Sequence, residues 1–175
     1  AVSDKLTRRH PHIFAREQGS GAEAAIAGWE QRKSAERAEK SQYSLLDDIP
    51  ATLPALMRAY KIQKRCASAG FDWDTLPPVL GKVCEGLGGV MEEVNRPQVN
   101  DERVAEELGD LLFAVVNFSR HLGHKPEMVL QKACRKFENR FRQVESDIAA
   151  RGLTIESATL DEMEKSWQDV KSREE

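Results

Sequence analysis

Apolar residues recur along this chain every three or four positions, and no stretch sustains strict alternation. That period marks helices with one buried face, so the pattern predicts an all-α protein, an antiparallel helix bundle. No Asn-Gly or Asp-Gly dipeptide joins two apolar runs, which removes the usual hairpin signal. From the N terminus, a short basic piece around Lys5-Leu6-Thr7-Arg8-Arg9-His10 stops at Pro11, and Gln18-Gly19-Ser20-Gly21 breaks the chain. A charged helix over Ala22–Glu39 has few anchors, chiefly Ile26 and Trp29. Asp47-Asp48-Ile49-Pro50 punctuates again. Leu53–Ser68 is amphipathic, with Leu56, Met57 and Tyr60 on one side, and Gly70 suits the position after its end. An aromatic loop, Phe71-Asp72-Trp73, follows.

Pro77-Pro78 opens the next helix, about Val79–Val94, which Asn95-Arg96-Pro97 ends. Val83, Leu87, Val90, Met91 and Val94 share one face of it. Arg103–Leu122 comes next; its middle, Leu111 to Phe118, is apolar almost all round and belongs at the centre of a bundle. Gly123 closes it. Pro126 starts a helix to Ala150 with the stripe Leu130, Phe137, Phe141, Val144 and Ile148, ended by Gly152. Thr159 with Glu162 has the spacing of a capping box for a last helix, Leu160–Val170, anchored by Leu160, Met163, Trp167 and Val170.

The Val79–Val94 helix carries an anomaly. Gly86, Gly88 and Gly89 interrupt its rhythm, and each costs a helix interior about 1 kcal/mol relative to Ala. Composition adds bounds. The 175 residues suit one compact domain plus an extension, and 40% hydrophobic content supports a core. A net charge of −3 offers no broad basic surface for a nucleic-acid duplex. Cys66, Cys84 and Cys134 lack metal or redox spacing and read as reduced thiols of a cytoplasmic protein. No apolar run is long enough for a membrane span. A start at Ala1-Val2-Ser3-Asp4-Lys5, without Met, reads as a fragment or a processed chain.

Glu107 and Asp110 stand three apart, on adjacent turns of one helix face beside the apolar run. Hard oxygen ligands at this spacing suit magnesium or manganese. The same acids, with Asp101, Glu102 and Glu106, also suit the positive end of a helix dipole, and the spacing alone does not choose. The short link from Asn95 to Glu102 makes the two helices antiparallel neighbours, so Glu85 is either a third acid of that group or a solvated glutamate. Glu92 and Glu93 read as surface charges. Lys132, Arg135, Lys136, Arg140 and Arg142 crowd one helix, Lys61 and Lys64 another, and Lys82 precedes the glycines. Cations bordering an acidic site fit a polyphosphate; a solvated helix face is the ordinary alternative. Trp73 is a base-stacking candidate or a plain core or lid aromatic. His121 and His124 need only a capping role, and no nucleophilic triad or phosphate loop is present.

Leu45-Leu46-Asp47-Asp48-Ile49-Pro50, Leu53-Pro54-Ala55-Leu56-Met57-Arg58-Ala59, Lys61-Ile62-Gln63-Lys64-Arg65 and Gly70-Phe71-Asp72-Trp73 together resemble the C-terminal half of MazG-family nucleoside triphosphate pyrophosphohydrolases. So do Glu106-Glu107-Leu108-Gly109-Asp110-Leu111-Leu112-Phe113 and Lys136-Phe137 with Arg140-Phe141, while Arg8-Arg9-His10-Pro11-His12-Ile13-Phe14 resembles the end of the N-terminal half. The resemblance implies residues 1–44 as the tail of a preceding copy plus a helical linker, and 45–175 as the C-terminal domain. It implies a tight homodimer and metal-dependent hydrolysis of a nucleoside triphosphate to monophosphate and pyrophosphate. The family's ligands lie on an E-E-x-x-E helix and an E-x-x-D helix. Glu107 and Asp110 match the second, as metal ligands. Glu85 matches the first acid of the first, as a catalytic group, but Gly86 and Gly89 stand at the next two acid positions. Cys134 replaces a common asparagine. Lys82, Lys132, Lys136 and Arg140 fit the basic substrate-binding positions, with Lys61, Lys64 and Trp73 beside them. The expectation is a pyrophosphohydrolase weakened by missing charge; the alternatives are a non-catalytic dimerisation or nucleotide-holding module, and a purely helical interaction domain.

Overall fold

A computed structural model describes residues 44–174. The expectations for the N-terminal tail and the Ala22–Glu39 helix lie outside those residues. Among the described residues there are five helices and no strand: α1 (Ala55–Ala67), α2 (Leu76–Val94), α3 (Asp101–His121), α4 (Pro126–Ala150) and α5 (Leu160–Glu174). The all-α expectation holds, and α4 has the expected bounds. The last helix runs one turn past Val170. Its start is the capping box read from the sequence: Thr159 N donates to Glu162 Oε2 at 2.8 Å and Glu162 N to Thr159 Oγ1 at 3.3 Å. Gly70, Gly123 and Gly152 take positive φ of 86°, 78° and 76° just past three helix ends, a conformation that penalises any Cβ. A cap the sequence reading missed, Asn100, opens α3 by accepting from Glu102 N and Arg103 N.

The described residues divide into two compact units, 44–53 with Lys61–Asp72, and Pro54–Tyr60 with 73–174. In the first, Arg65 ties the segment before α1 in place. Its guanidinium donates to Leu45 O at 2.9 Å and to Asp48 Oδ1 at 2.6 Å, and Ile49 and Gln63 are buried.

The second unit is built from two helical hairpins. α2 and α3 pack along their length through the short link at Asn95–Asn100. α4 and α5 enclose a core of Val144, Ile148 and Val170, flanked by Leu153, Ile155, Met163 and Trp167. Each fully buried aliphatic there contributes about 1.5–3 kcal/mol by leaving water. Buried Ser166 completes its hydrogen bonding by donating to Asp147 Oδ2 at 3.1 Å. α3 and α4 touch only near their junction.

Four apolar expectations need correction, the first on α4, where Leu130 and Phe137 of the expected stripe are exposed while Val144 and Ile148 are buried. Leu160 is not an anchor but 76% exposed, because it lies at the open start of α5. The apolar positions of α2 form two stripes: Val79 is buried and Val83 and Val90 half-buried, whereas Leu80, Leu87, Met91 and Val94 are exposed. The apolar middle of α3 is not enclosed within one chain. Val116 is buried, but Leu112, Phe113 and Val115 stay exposed, since only one face of α3 is covered by α2. No helix among the described residues is long and apolar enough to cross a membrane.

The cap makes a test. Bonds from the Thr159 backbone and hydroxyl hold the Glu162 carboxyl below its ordinary 4.5. A depressed carboxyl stabilises the fold above its unfolded value, and that contribution fades as pH falls through the lower folded value. Thr159→Ala is expected to cost about 1 kcal/mol near neutral pH, and the deficit in urea midpoint should shrink well below pH 4.5.

Candidate functional site

The two acid-bearing helices meet in a definite register. A Cβ built on Gly86 would stand 3.1 Å from Leu111 Cα. One built on Gly89 would run into the Glu107 carboxylate, 3.1 Å from its Cδ. One further turn along, Glu93 meets Arg103 at 3.6 Å and Arg96 at 2.8 Å. So Gly86 faces Leu111, Gly89 faces Glu107 and Glu93 faces Arg103, as expected of antiparallel neighbours joined by a short link.

Glu93 is therefore not a surface charge. It is only 4% exposed, at the closed end of the hairpin, where two arginines compensate its charge and its Oε2 makes no hydrogen bond. The Glu93-x-x-Arg96 spacing was a visible signal; burial by Arg103 was not. Glu92 remains exposed and pairs loosely with Arg96.

The glycines play three different parts. Gly88 faces open space, so its missing side chain serves no packing purpose in this chain. Gly86 lets the α3 backbone approach. Gly89 leaves a seat that the Glu107 carboxylate takes. Glu107 thus points at α2 and is half-buried, and Asp110, one turn on, is exposed. Glu85 does not turn toward either but pairs with Lys82 along its own helix, both Lys82 Nζ–Glu85 oxygens lying at 2.8–2.9 Å. Both side chains are more than half exposed, so the pair contributes a few tenths of a kcal/mol at most. Among the described residues, no three His, Cys, Asp or Glu side chains converge as a metal-holding group.

The cationic residues are placed as follows. Lys61 and Lys64 are exposed on α1, within the first unit. Trp73 is 42% exposed. Lys132, Lys136 and Arg140 recur at four-residue intervals along α4, so they share one stripe, with Lys132 and Lys136 exposed. Arg140 is the best-ordered of them chemically: its Nε and Nη2 donate to Glu174 Oε2 at 2.8 and 2.6 Å, and its guanidinium lies 5.8 Å from the Trp167 ring centre. Phe137 joins this cluster, 5.0 Å from Trp167 and 6.0 Å from Phe141 between ring centres. Trp167 and Glu174 escaped the sequence reading as site neighbours. Trp167 was legible only as a helix anchor, and 34 residues separate Glu174 from Arg140. Cys84 and Cys134 are exposed free thiols.

Glu107 of α3 seated on Gly89 of α2, Asp110 exposed one turn on, and a basic stripe on α4 beside Phe137 and Trp167 form the frame against which known proteins compare. The profile of the MazG nucleotide pyrophosphohydrolase domain matches residues 79–145, the span from α2 to most of α4. The chain is 56% identical over 174 residues, 99% of its length, to the nucleoside triphosphate pyrophosphohydrolase of Escherichia coli K12. It is 36% identical over 174 residues to the nucleoside triphosphate pyrophosphohydrolase/pyrophosphatase MazG of Thermotoga maritima. The chain belongs to the MazG family. It spans 66% and 64% of those two relatives, just under two thirds of each. A Bacillus subtilis protein, the uncharacterized YabN, is also 36% identical over 99% of this chain, which covers 35% of it.

In this MazG-family chain the glycines of α2 can be tested one by one. Gly88→Ala is expected to stabilise the chain by about 1 kcal/mol, the helix-propensity difference. Gly86→Ala should return less than that, or destabilise, because its methyl must push Leu111 back. Urea unfolding midpoints at unchanged slope check both.

Proposed function

We propose that this chain serves a nucleoside triphosphate pyrophosphohydrolase, with the reaction weakened in this domain. The observation that carries the reading is the 56% identity, over 99% of the chain, to an enzyme of that name. The substrate class is a nucleoside triphosphate, and the proposed site lies beside Glu107, which meets α2, and Asp110 one turn on along α3. We infer residues 45–175 to be the C-terminal domain and 1–44 the tail of an earlier copy with its linker.

The reaction adds a water oxygen to the α-phosphorus, breaks the bond to the α–β bridging oxygen and releases monophosphate and pyrophosphate. Glu85 is the group assigned to take the water proton, which requires it to leave Lys82. Lys136 and Arg140, with Lys132 and Lys82, supply positive charge for the polyphosphate. Trp73 is the remaining substrate-binding assignment in this unit. Magnesium or manganese is the cofactor the family implies. The α2–α3 groove does not fit a tightly held divalent ion: Gly89 meets the single carboxylate of Glu107, Gly86 meets Leu111, Glu85 is paired with Lys82, and ligand charge largely sets affinity for hard cations. No step is therefore assigned to a metal. The same observation favours a second reading, a module that dimerises and holds nucleotide without turning it over.

The proposed homodimer has a surface to use. Leu80, Leu87 and Met91 on α2 and Leu108, Leu112 and Val115 on α3 are all exposed at helical spacing, and a second copy would cover them. The cellular place proposed is the cytoplasm, with no membrane or nucleic-acid duplex as partner.

With magnesium or manganese and each triphosphate, slow pyrophosphate release that Asp110→Asn abolishes is expected. Gly86→Glu with Gly89→Glu should raise it by about a hundredfold, the scale of lost electrostatic stabilisation. Nucleotide binding without any pyrophosphate release would instead establish the holding module. Sedimentation should give a dimer that Leu112→Glu converts to monomer; a wild-type monomer would sink the dimer.

A further inference from the structure

Arg140 already holds an anion. The Glu174 carboxylate, from the last turn of α5, receives two hydrogen bonds from its guanidinium, at 2.8 and 2.6 Å. The pairing is shielded on the arginine side, whose side chain is only 14% exposed, while Glu174 remains 37% exposed. Trp167 lies beside the guanidinium, 5.8 Å away, fixing its plane. The bonds from Arg140, and then the charges of Arg140 and Lys136, hold the Glu174 carboxyl below its ordinary 4.5, so at neutral pH it is a carboxylate. Its negative oxygens thus sit where the Lys136–Arg140 pair would receive a phosphate oxygen.

We propose that Glu174 is an internal stand-in for a ligand phosphate: its carboxylate occupies Arg140 when the site is empty, and a polyphosphate must displace it to bind. Glu174 Oε2 takes both the Nε and the Nη2 bond of Arg140, the edge on which a phosphate oxygen would be received, so carboxylate and phosphate compete for it. The displaced element is short, the final turn of α5, so exchange needs no rearrangement of the α4–α5 core around Val144, Ile148 and Val170. The same carboxylate, returning to Arg140, would help expel a bound phosphate. This inference rests on the reading of Arg140 as a phosphate-binding residue.

A double-mutant cycle tests it. ATP binding to the full chain is measured by titration calorimetry at low salt with EDTA, for the wild type, Glu174→Gln, Arg140→Gln and the pair. Glu174→Gln is expected to tighten ATP about threefold to fivefold, the scale of one partly exposed ion pair. The gain should vanish in the Arg140→Gln background, because no guanidinium remains to release. Glu174→Gln that leaves ATP affinity unchanged or weakens it, while Arg140→Gln still impairs binding, overturns the stand-in and makes Glu174 a support for Arg140. Arg140→Gln that leaves ATP binding intact overturns the phosphate-site reading as well. Glu174→Asp keeps the charge with a shorter reach and is expected to fall between wild type and Glu174→Gln.

Discussion

The close antiparallel approach of α2 to α3 is the constraint on which the site depends. Three successive turns set it. Glu93 is clasped by Arg96 and Arg103 at the closed end, Gly89 receives the Glu107 carboxylate, and Gly86 admits the α3 backbone at Leu111. A buried carboxylate such as Glu93 is tolerable only with charge partners, so the clasp locks the register. The register in turn decides that Glu107 faces α2. Gly89 leaves room on α2, and the Glu107 carboxylate occupies it.

Between Gly86 and Gly89, α2 presents no carboxylate to α3, and Glu85 is paired with Lys82. The basic stripe on α4 and the aromatic residues behind it are intact, and Arg140 is held by a carboxylate of its own chain. The cations proposed to bind phosphate are therefore present, while only Glu107 is seen to bring a carboxylate against the glycines of α2. Hydrolysis needs both; holding a polyphosphate needs chiefly the cations.

The exposed apolar stripes follow from the same topology. Two hairpins that touch only at the α3–α4 junction leave the outer faces of α2 and α3 uncovered. Leu112 and Val115 have the composition of a core and the exposure of a surface. A periodicity argument sees only that such residues want burial, not whether the covering face belongs to the same chain.

Much of this was legible in the residues themselves. Apolar spacing determined the helical class, and prolines and glycines at Pro77-Pro78, Pro126, Gly70, Gly123 and Gly152 marked ends, because backbone conformation there is a local property. The Thr159–Glu162 cap and the surviving Glu107–Asp110 pair are likewise short-range, within one turn. The burial of Glu93, the seat of Glu107 on Gly89 and the pairing of Arg140 with Glu174 were not. Each is set by which turn of one helix lands against which turn of another, and that alignment arises from the summed packing of whole faces, a quantity no single stretch of sequence contains. The sequence by itself determined which helices form and which charges they carry; the tertiary structure alone decided which of those charges meet.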